Sequence, residues 1–223
     1  WINSSTFLDD EPFPLSIGTF EDEGRSRLRV LRLSARYLSR GERFVMLARS
    51  RVSVGLDWFD ATNNEFGLDG RFVKWEGELQ SIVRVDDDVR IVGRGLVQWS
   101  PDALLPVEQL SIGGVNSVRG FDLAARSGDQ GVFISFQGEW DVLPPVVLTT
   151  FWDWAVVGNN GVALEGVSRE VLSPSTLSSV GVGVNWEVIK GLTLSANLAT
   201  PIVGNDDQIT RPLTVEARYW VQF

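Results

Sequence analysis

The chain of 223 residues contains neither cysteine nor histidine. Without cysteine there is no disulfide framework and no thiolate metal site. Without histidine, the usual general base, the Ser-His-Asp triad and most zinc sites are excluded together. The sequence also lacks a run of about 18 apolar residues, so no transmembrane helix is expected. These absences argue against the common catalytic and zinc sites, and we predict no metal site.

Charge and tryptophan content narrow the class further. The chain has 20 Lys and Arg against 29 Asp and Glu, and the resulting net charge of −9 argues against nucleic acid as a partner. Mean hydropathy near zero resembles that of soluble proteins, but a transmembrane β-barrel hides its apolar band in every second residue. Nine Trp residues favour the barrel, because barrels place Trp at both membrane interfaces.

Apolar and polar residues alternate with period two over most of the chain, which indicates β-strands rather than helices. We expect about ten strands and no helix of any length. The predicted strands cover residues 13–20 (weakly), 28–38, 44–58, 72–85, 90–99, 132–140, 146–157, 179–188, 192–199 and 213–223.

The connections between these strands alternate in length. Short turns lie near residues 39, 86, 144 and 190, whereas long loops begin near residues 60, 100, 158 and 201. This alternation is typical of an up-and-down sheet that crosses a membrane. In the last five strands the face opposite the apolar one carries mainly Ser, Thr, Gly, Asn and Gln, which suits an enclosed polar lumen. The predicted fold class is an all-β, transmembrane, antiparallel up-and-down β-barrel, with a soluble β-rich protein as the alternative.

The segment 105–122 stands out because it is too long for a hairpin turn. Its glycines allow the backbone to bend tightly, and an Arg folded into a barrel must find an anion, because burying it unpaired costs several kcal/mol. Asp153, on the second strand after the loop, is the best candidate partner for Arg119, and Glu139 on the intervening strand faces the same way. The alternative that Arg119 is a solvated loop residue remains open at this point.

Residues 108–122, EQLSIGGVNSVRGFD, resemble the signature loop of the two-partner secretion transporters. This is the TpsB family of ShlB/FhaC-type haemolysin activators, in the superfamily of the barrel-assembly protein BamA and the chloroplast Toc channel. The family pattern is an LGG-type turn followed by VRGF or VRGY on the sixth extracellular loop, which folds into a sixteen-stranded barrel. The matching residues here are Gly113, Gly114, Val118, Arg119, Gly120 and Phe121.

A second family motif, F-x-D-x-G, lies on the second strand after the loop. Phe151, Asp153 and Ala155 stand in that place, with Ala155 replacing the glycine. The resemblance implies a contact between Arg119 and Asp153. It also makes the alternation Tyr219, Val221 and Phe223 look like the C-terminal assembly signal of outer-membrane barrels.

The chain begins at Trp1 without an initiator Met or signal peptide, so we expect a processed chain or a fragment of a longer protein. A chain that closes as a small barrel of its own is the alternative to a fragment. By the resemblance, residues 1–223 form the C-terminal part of one outer-membrane barrel, with an inward-folded loop at 100–130. POTRA domains and a plug helix are expected upstream.

The function implied by the resemblance is an outer-membrane pore that secretes a partner exoprotein, with no enzymatic activity and no cofactor. The expected partners are the lipid bilayer, the exoprotein passenger and the barrel-assembly machinery. A barrel-assembly or insertion factor of the same superfamily and a soluble β-rich ligand-binding protein remain alternatives. The charges on the polar face either line a conduction path or pair across the lumen; they are Arg49, Arg51, Arg84, Arg94, Glu76, Glu78 and Glu139.

Overall fold

The computed structural model describes residues 2–5, 7–8, 11–12, 25–56, 71–160, 163–164, 167–168, 174–189, 191–204 and 211–219. The strand predicted at 13–20, and the ends of those predicted at 44–58 and 213–223, lie outside these residues. Across the described ranges the chain forms β-strands and one short 3-10 helix, Pro106–Glu108, with no α-helix.

The strands, in chain order, are β1 (Ile2–Ser5), β2 (Phe7–Leu8), β3 (Glu11–Pro12), β4 (Arg25–Leu28), β5 (Val30–Arg40), β6 (Phe44–Gly55), β7 (Val73–Arg84), β8 (Val89–Trp99), β9 (Leu110–Ile112), β10 (Arg126–Gly128), β11 (Gln130–Leu143), β12 (Val146–Gly158), β13 (Ala163–Leu164), β14 (Val167–Ser168), β15 (Ser175–Ile189), β16 (Leu192–Val203) and β17 (Leu213–Tyr219).

Nine long strands form one antiparallel sheet within the part of the chain that the structure describes. Its order is β17-β16-β15-β12-β11-β8-β7-β6-β5, so each long strand pairs with the long strands before and after it in the chain. In the same residues β5 and β17 are the two edges. The small strands form separate two-stranded pairs, of which β9 and β10 lie in the connection between β8 and β11. The predicted all-β up-and-down architecture is confirmed.

The short connections are tight turns whose residues fit their geometry. Gly191, between β15 and β16, has φ +88°, a conformation that glycine adopts without strain. Between β7 and β8 the Asp86 carboxylate accepts the backbone N–H of Asp87 at 2.8 Å. The aspartate run 86–88 therefore lies in the short turn that the sequence predicts.

The register of the sheet places the alternating apolar residues together on one face, here called the outer face. Paired residues of adjacent strands, such as Val52 with Trp75 and Leu148 with Val184, continue this face across the sheet. Its side chains are exposed, up to 77 % for Leu33. A continuous exposed apolar face of this extent is unfavourable in water, which argues against the soluble alternative and for contact with lipid.

Four tryptophans lie at the two ends of the outer face, whereas Trp152 and Trp154 lie between them and do not fit an interfacial position. Trp75 and Trp99 are ladder partners beside the long loops, whereas Trp140 and Trp186 lie near the short turns. Trp99 is about level with the start of β11, so roughly 10 residues separate the two groups, or about 33 Å along a strand. A strand tilt of about 40° reduces this to about 25 Å, the height of the apolar band of an outer-membrane barrel. Trp58 and Trp220 lie outside the described residues.

The buried apolar core lies on the opposite, inner face. It consists of a cluster between the β8–β11 connection and strands β11, β12 and β15, formed by Ile112, Val118, Phe121, Phe133, Ala155, Val157 and Leu177. In the described part of the chain no helix is long and apolar enough to span a membrane. Within the residues that the structure describes, the packing that resembles a protein interior is thus that of the β8–β11 connection against the sheet.

A charged residue on the outer face tests whether it contacts lipid. Val180 lies at mid-height on β15, level with Phe136 and Trp152 on the neighbouring strands, whereas Ile189 ends the same strand beside a short turn. We expect Val180→Arg to lower the free energy of unfolding in lipid vesicles by about 2–4 kcal/mol and Ile189→Arg by about 0–1 kcal/mol. Denaturant titration followed by tryptophan fluorescence measures both, and equal effects would contradict a lipid-facing surface.

Candidate functional site

The connection between β8 and β11, residues 100–129, is here called the long loop. It begins with the 3-10 helix, continues through the β9–β10 pair, and carries residues 113–125 as its tip between these two strands. Strands β9 and β10 contact β12, and β9 also contacts β11. The loop therefore lies against the inner face instead of extending away from the sheet.

Glycines let the tip of the loop reverse direction. Gly113 has φ +106° and Gly114 φ +89°, and a Cβ at Gly113 would meet the Asp122 carbonyl oxygen at 2.4 Å. The turn is closed by hydrogen bonds: the Gly113 N–H donates to the Ser117 hydroxyl at 2.7 Å, and the Gly114 N–H to the Val118 carbonyl at 3.1 Å. The turn directs the next residue, Arg119, toward the sheet.

Arg119 forms a bidentate ion pair with Asp153 of β12. Its Nε lies 2.7 Å from Asp153 Oδ2 and its Nη2 lies 2.8 Å from Asp153 Oδ1. The backbone N–H of Arg119 also donates to Oδ2, at 3.1 Å. Arg119 is 6 % exposed and Asp153 is fully buried. Three donors from one residue thus converge on a single carboxylate, and we call this pair with its neighbours the tip contact.

A further Arg119 donor and the guanidinium face are also occupied. Nη1 donates to Gln137 Oε1 at 2.6 Å, and the guanidinium carbon lies 3.5 Å from the centre of the Phe151 ring. That ring has room because Gly181 of β15 has no side chain: a Cβ there would lie 2.2 Å from Phe151 Cζ. Phe151 and Asp153, the two matching residues of the second motif, therefore both contact Arg119.

Ala155, which departs from the second motif, is fully buried in the apolar cluster beside Val118 and Phe121. Its methyl group is accommodated within that cluster. The extra carbon relative to glycine adds buried apolar surface at this position.

Glu139 does not take the role expected of it as a partner of Arg119. Its carboxylate accepts from Arg90 Nε at 3.2 Å and from Gln137 Nε2 at 2.9 Å. Gln137 lies between Glu139 and Arg119 and hydrogen-bonds to both. Glu139 lies two residues beyond Gln137 on β11, which is about 7 Å along the strand. Although both side chains face inward, Glu139 is therefore out of reach of Arg119.

The end of the tip contacts strands on the other side of Asp153. Gly120, with φ +90°, packs against Ala199 of β16, and its carbonyl accepts the Arg211 N–H at 3.0 Å. Phe121 is buried beside Gly204 and Leu177, where a Cβ on Gly204 would approach its ring to 2.7 Å. At the rim, Asp122 forms an ion pair with the exposed Arg211.

Buried polar residues that the sequence reasoning missed hold the stem of the loop, residues 100–112. Asp129 is fully buried, and its carboxylate accepts the backbone N–H groups of Leu104 at 2.9 Å and Asn160 at 2.7 Å. Glu108 is 3 % exposed and contacts Lys74 of β7 and Arg32 of β5. The sequence contains only a partial indication of this contact, namely an acidic residue, Glu108, close to apolar ones. The partners of Glu108 are too far away in the sequence to be recognised.

Two further arginines of the inner face pair with carboxylates on the adjacent strand. Arg49 lies 3.4 Å from Glu78, and Arg51 lies 3.7 Å from Glu76. Arg94 instead contacts the Phe133 ring at 5.6 Å and the Ser135 hydroxyl. These observations favour the paired interpretation for the two β6–β7 pairs. Tyr219 ends β17 and is exposed, whereas Val221 and Phe223 lie outside the described residues.

Comparison with known proteins identifies relatives of this arrangement. A family model described as haemolysin secretion/activation protein ShlB/FhaC/HecB matches residues 22–152. The outer membrane transporter CdiB of Escherichia coli is 34 % identical over 137 residues, which are 59 % of this chain and 23 % of that protein. The chain thus matches about a quarter of the length of this curated relative.

Solved structures show the same fold. The CdiB structure from Escherichia coli has a TM-score of 0.72 at 24 % identity, over 96 % of this chain and 39 % of that chain. CdiB from Acinetobacter baumannii gives 0.72 at 18 % identity, over 96 % and 36 % respectively. BamA from Haemophilus ducreyi, in a structure lacking POTRA domains 1–3, gives 0.64 at 15 % identity, over 86 % and 42 %.

Removing the Asp153 carboxylate should release the tip of the loop, because breaking a buried pair leaves Arg119 as an uncompensated buried charge, at a cost of about 3–5 kcal/mol. We expect Asp153→Ala to make the peptide bond after Arg119 accessible to trypsin in the folded protein. Time-resolved digestion with mass spectrometry measures the cleavage.

The matched control is Asp141→Ala, which removes an inner-face aspartate that pairs with Arg90 and not with the loop. It should leave the bond after Arg119 as protected as in the unmodified protein. Equal sensitivity of the two variants would mean that Asp153 does not hold the loop.

Proposed function

The chain belongs to the ShlB/FhaC/HecB family of haemolysin secretion/activation proteins, and on that premise we propose that it forms the loop-bearing part of an outer-membrane pore that secretes a partner exoprotein. The outer membrane is the location given by its transporter relatives. The exposed apolar outer face faces lipid and the polar inner face borders the passage. Residues 1–223 act in this proposal as one portion of a barrel.

The tip contact is the observation that carries this proposal. It holds the long loop flat against β11 and β12 through Arg119 and Asp153, both almost fully buried. A loop that is fixed to the wall narrows the passage without closing it, whereas a free loop of this length would occupy the space that a polypeptide needs. The pair therefore acts by positioning the loop, since a buried ion pair is by itself weak evidence of added stability.

The inner face beside Arg119 has the chemistry to accept an unfolded chain. A polar cavity of about 280 Å³ lies there, and amide and hydroxyl side chains on its wall include Asn185, Asn197 and Ser195. Cations and carboxylates also border it, among them Arg218 and Glu216. An extended polypeptide exposes backbone donors and acceptors along its whole length, and this lining offers partners to both.

Partners follow from the same proposal. The passenger is an exoprotein that crosses in an unfolded state, and the lipid bilayer surrounds the outer face. The barrel-assembly machinery inserts the protein and recognises the sequence alternation of Tyr219, Val221 and Phe223. POTRA domains upstream of the barrel would receive the passenger.

A barrel-assembly or insertion factor is the second candidate function. Its support is the fold similarity to BamA, which is lower than that to CdiB and extends to the fold alone. The family model, which covers residues 22–152, favours secretion. Depletion of the protein distinguishes the two functions: loss of one exoprotein from the medium supports secretion, whereas a general decrease of outer-membrane barrels supports assembly.

Substitution of Arg119 tests the secretion pore. We expect Arg119→Ala to reduce the partner exoprotein in the culture medium by at least ~10-fold, because the unpaired Asp153 disfavours the docked loop by more than the 1.4 kcal/mol of a tenfold change. The amount of the transporter in the outer membrane should stay nearly unchanged. Immunoblots of medium and membrane fractions measure both quantities.

Arg211→Ala provides the matched control, since it also removes one arginine that contacts the tip. Arg211 is 72 % exposed and pairs with Asp122 at the rim, where an ion pair contributes about 0–1 kcal/mol. Secretion by this variant should therefore remain close to normal. Normal secretion by Arg119→Ala would reject the proposed role of the loop.

A further inference from the structure

The stem of the long loop is attached to strands that lie on the other side of β8 from the tip contact. Glu108, at the end of the 3-10 helix, is only 3 % exposed. Its Oε2 lies 2.9 Å from Lys74 Nζ on β7, and its Oε1 contacts Arg32 on β5. One carboxylate thus joins two strands that are not neighbours, because β6 lies between them.

The backbone of Glu108 is held as well as its side chain. Its carbonyl accepts Lys74 Nζ at 2.9 Å and Gln98 Nε2 at 3.2 Å. Gln98 Nε2 also donates to the Asp129 carbonyl, at 3.0 Å, and so connects Glu108 with the last residue of the loop. Strand β8 therefore contacts the 3-10 helix directly, through the buried side-chain amide of Gln98.

Lys74 is the residue that makes the attachment of the stem dependent on Glu108. It lies on the inner face, is 4 % exposed, and its other carboxylate neighbour is Glu76 at 3.8 Å. Glu76 is in turn 3.7 Å from Arg51. A buried ammonium needs a close, hydrogen-bonded anion, and among these contacts Glu108 supplies the short one.

We propose that Glu108, with Lys74 and Arg32, is a second positioning site of the long loop that is independent of the tip contact. The tip contact fixes residues 113–125 to β11 and β12, and the stem contact fixes residues 100–112 to β5, β7 and β8. A loop attached at both places spans the inner face from β5 to β16 and fixes how strongly the sheet curves. Loss of the stem contact lets residues 100–112 move into the passage while the tip stays bound.

The role in the passage rests on the proposed pore function, but the attachment itself does not. The absence of cysteine from the chain allows the two attachments to be measured separately. Leu105→Cys reports on the stem, because Leu105 is 3 % exposed and its carbonyl accepts the Glu108 N–H at 2.8 Å. Val118→Cys reports on the tip, because Val118 is fully buried beside Arg119. The probe is a membrane-impermeant maleimide applied to the folded protein in lipid vesicles.

Glu108→Gln should raise the rate of maleimide labelling at Leu105→Cys by at least ~10-fold and leave Val118→Cys unchanged, because a buried pair has lost one partner. Asp153→Ala should produce the opposite pattern. The control Glu76→Gln removes a carboxylate from beside Lys74 that does not contact the loop, and it should change neither rate. Labelling of both cysteines together in Glu108→Gln, or of neither, would overturn independent attachment.

A charge series at Lys74 separates positioning from a general loss of folding. Lys74→Met should reproduce the labelling pattern of Glu108→Gln, and Lys74→Arg, which keeps the cation, should restore protection of Leu105→Cys. Equal labelling in the two Lys74 variants would contradict the proposal.

Single-channel recording in planar bilayers in potassium chloride tests the consequence for the passage. Glu108→Gln and Lys74→Met should lower the conductance, and Lys74→Arg should not. A conductance that Glu108→Gln leaves unchanged would overturn the role in the passage. If the unmodified protein forms no channel, the proposed pore function fails, while the labelling result still decides the attachment.

Discussion

The contact between Arg119 and Asp153 is the interaction on which the tip of the long loop and the buried cluster beneath it depend. An arginine with five donors is almost enclosed on the inner wall of the sheet, and such a group is tolerated only when its donors are paired. Asp153 accepts two side-chain donors and one backbone donor, Gln137 accepts another, and Phe151 covers the guanidinium face. Every one of these groups stands on β11 or β12, so the ladder between those strands determines the geometry of the contact.

The apolar cluster and the ion pair support each other. Val118 and Phe121 flank Arg119 and are buried against Ala155 and Leu177, which removes water from around the charges. Exclusion of water strengthens the electrostatic attraction but raises the cost of any unpaired group. The tip is therefore held in one arrangement, because small displacements would both expose apolar surface and separate buried charges. A protein whose outer face contacts lipid thus keeps its water-excluded core under a loop.

The strands and the tip contact could be predicted from sequence because both follow from local patterns. One side chain in two must face lipid, so the period-two alternation marks each crossing, and strand parity places Asp153 on the inner face. The VRGF resemblance then points from Arg119 to Asp153. What parity does not supply is the position along the strand, which is why Glu139, the further candidate on the same face, does not contact Arg119.

The stem contact could not be predicted in the same way. Glu108 is separated from Lys74 by 34 residues and from Arg32 by 76, and no repeat or motif connects the three positions. Their proximity depends on how strongly the sheet curves and on the path of the loop across it, neither of which is encoded in any short segment. Asp129 shows the same difficulty, because its partners are mostly backbone N–H groups that every residue carries.

The rim pair between Asp122 and Arg211 differs from the tip contact in one physical respect, its exposure to ions. Salt screens charges in water over about 10 Å at 0.1 M ionic strength, but acts much less on buried pairs. Arg211 is 72 % exposed and will be screened as the ionic strength of the medium rises, whereas Arg119 and Asp153 have almost no contact with solvent. The outermost part of the loop is thus sensitive to the salinity of the surroundings, and the part that borders the passage is insulated from it.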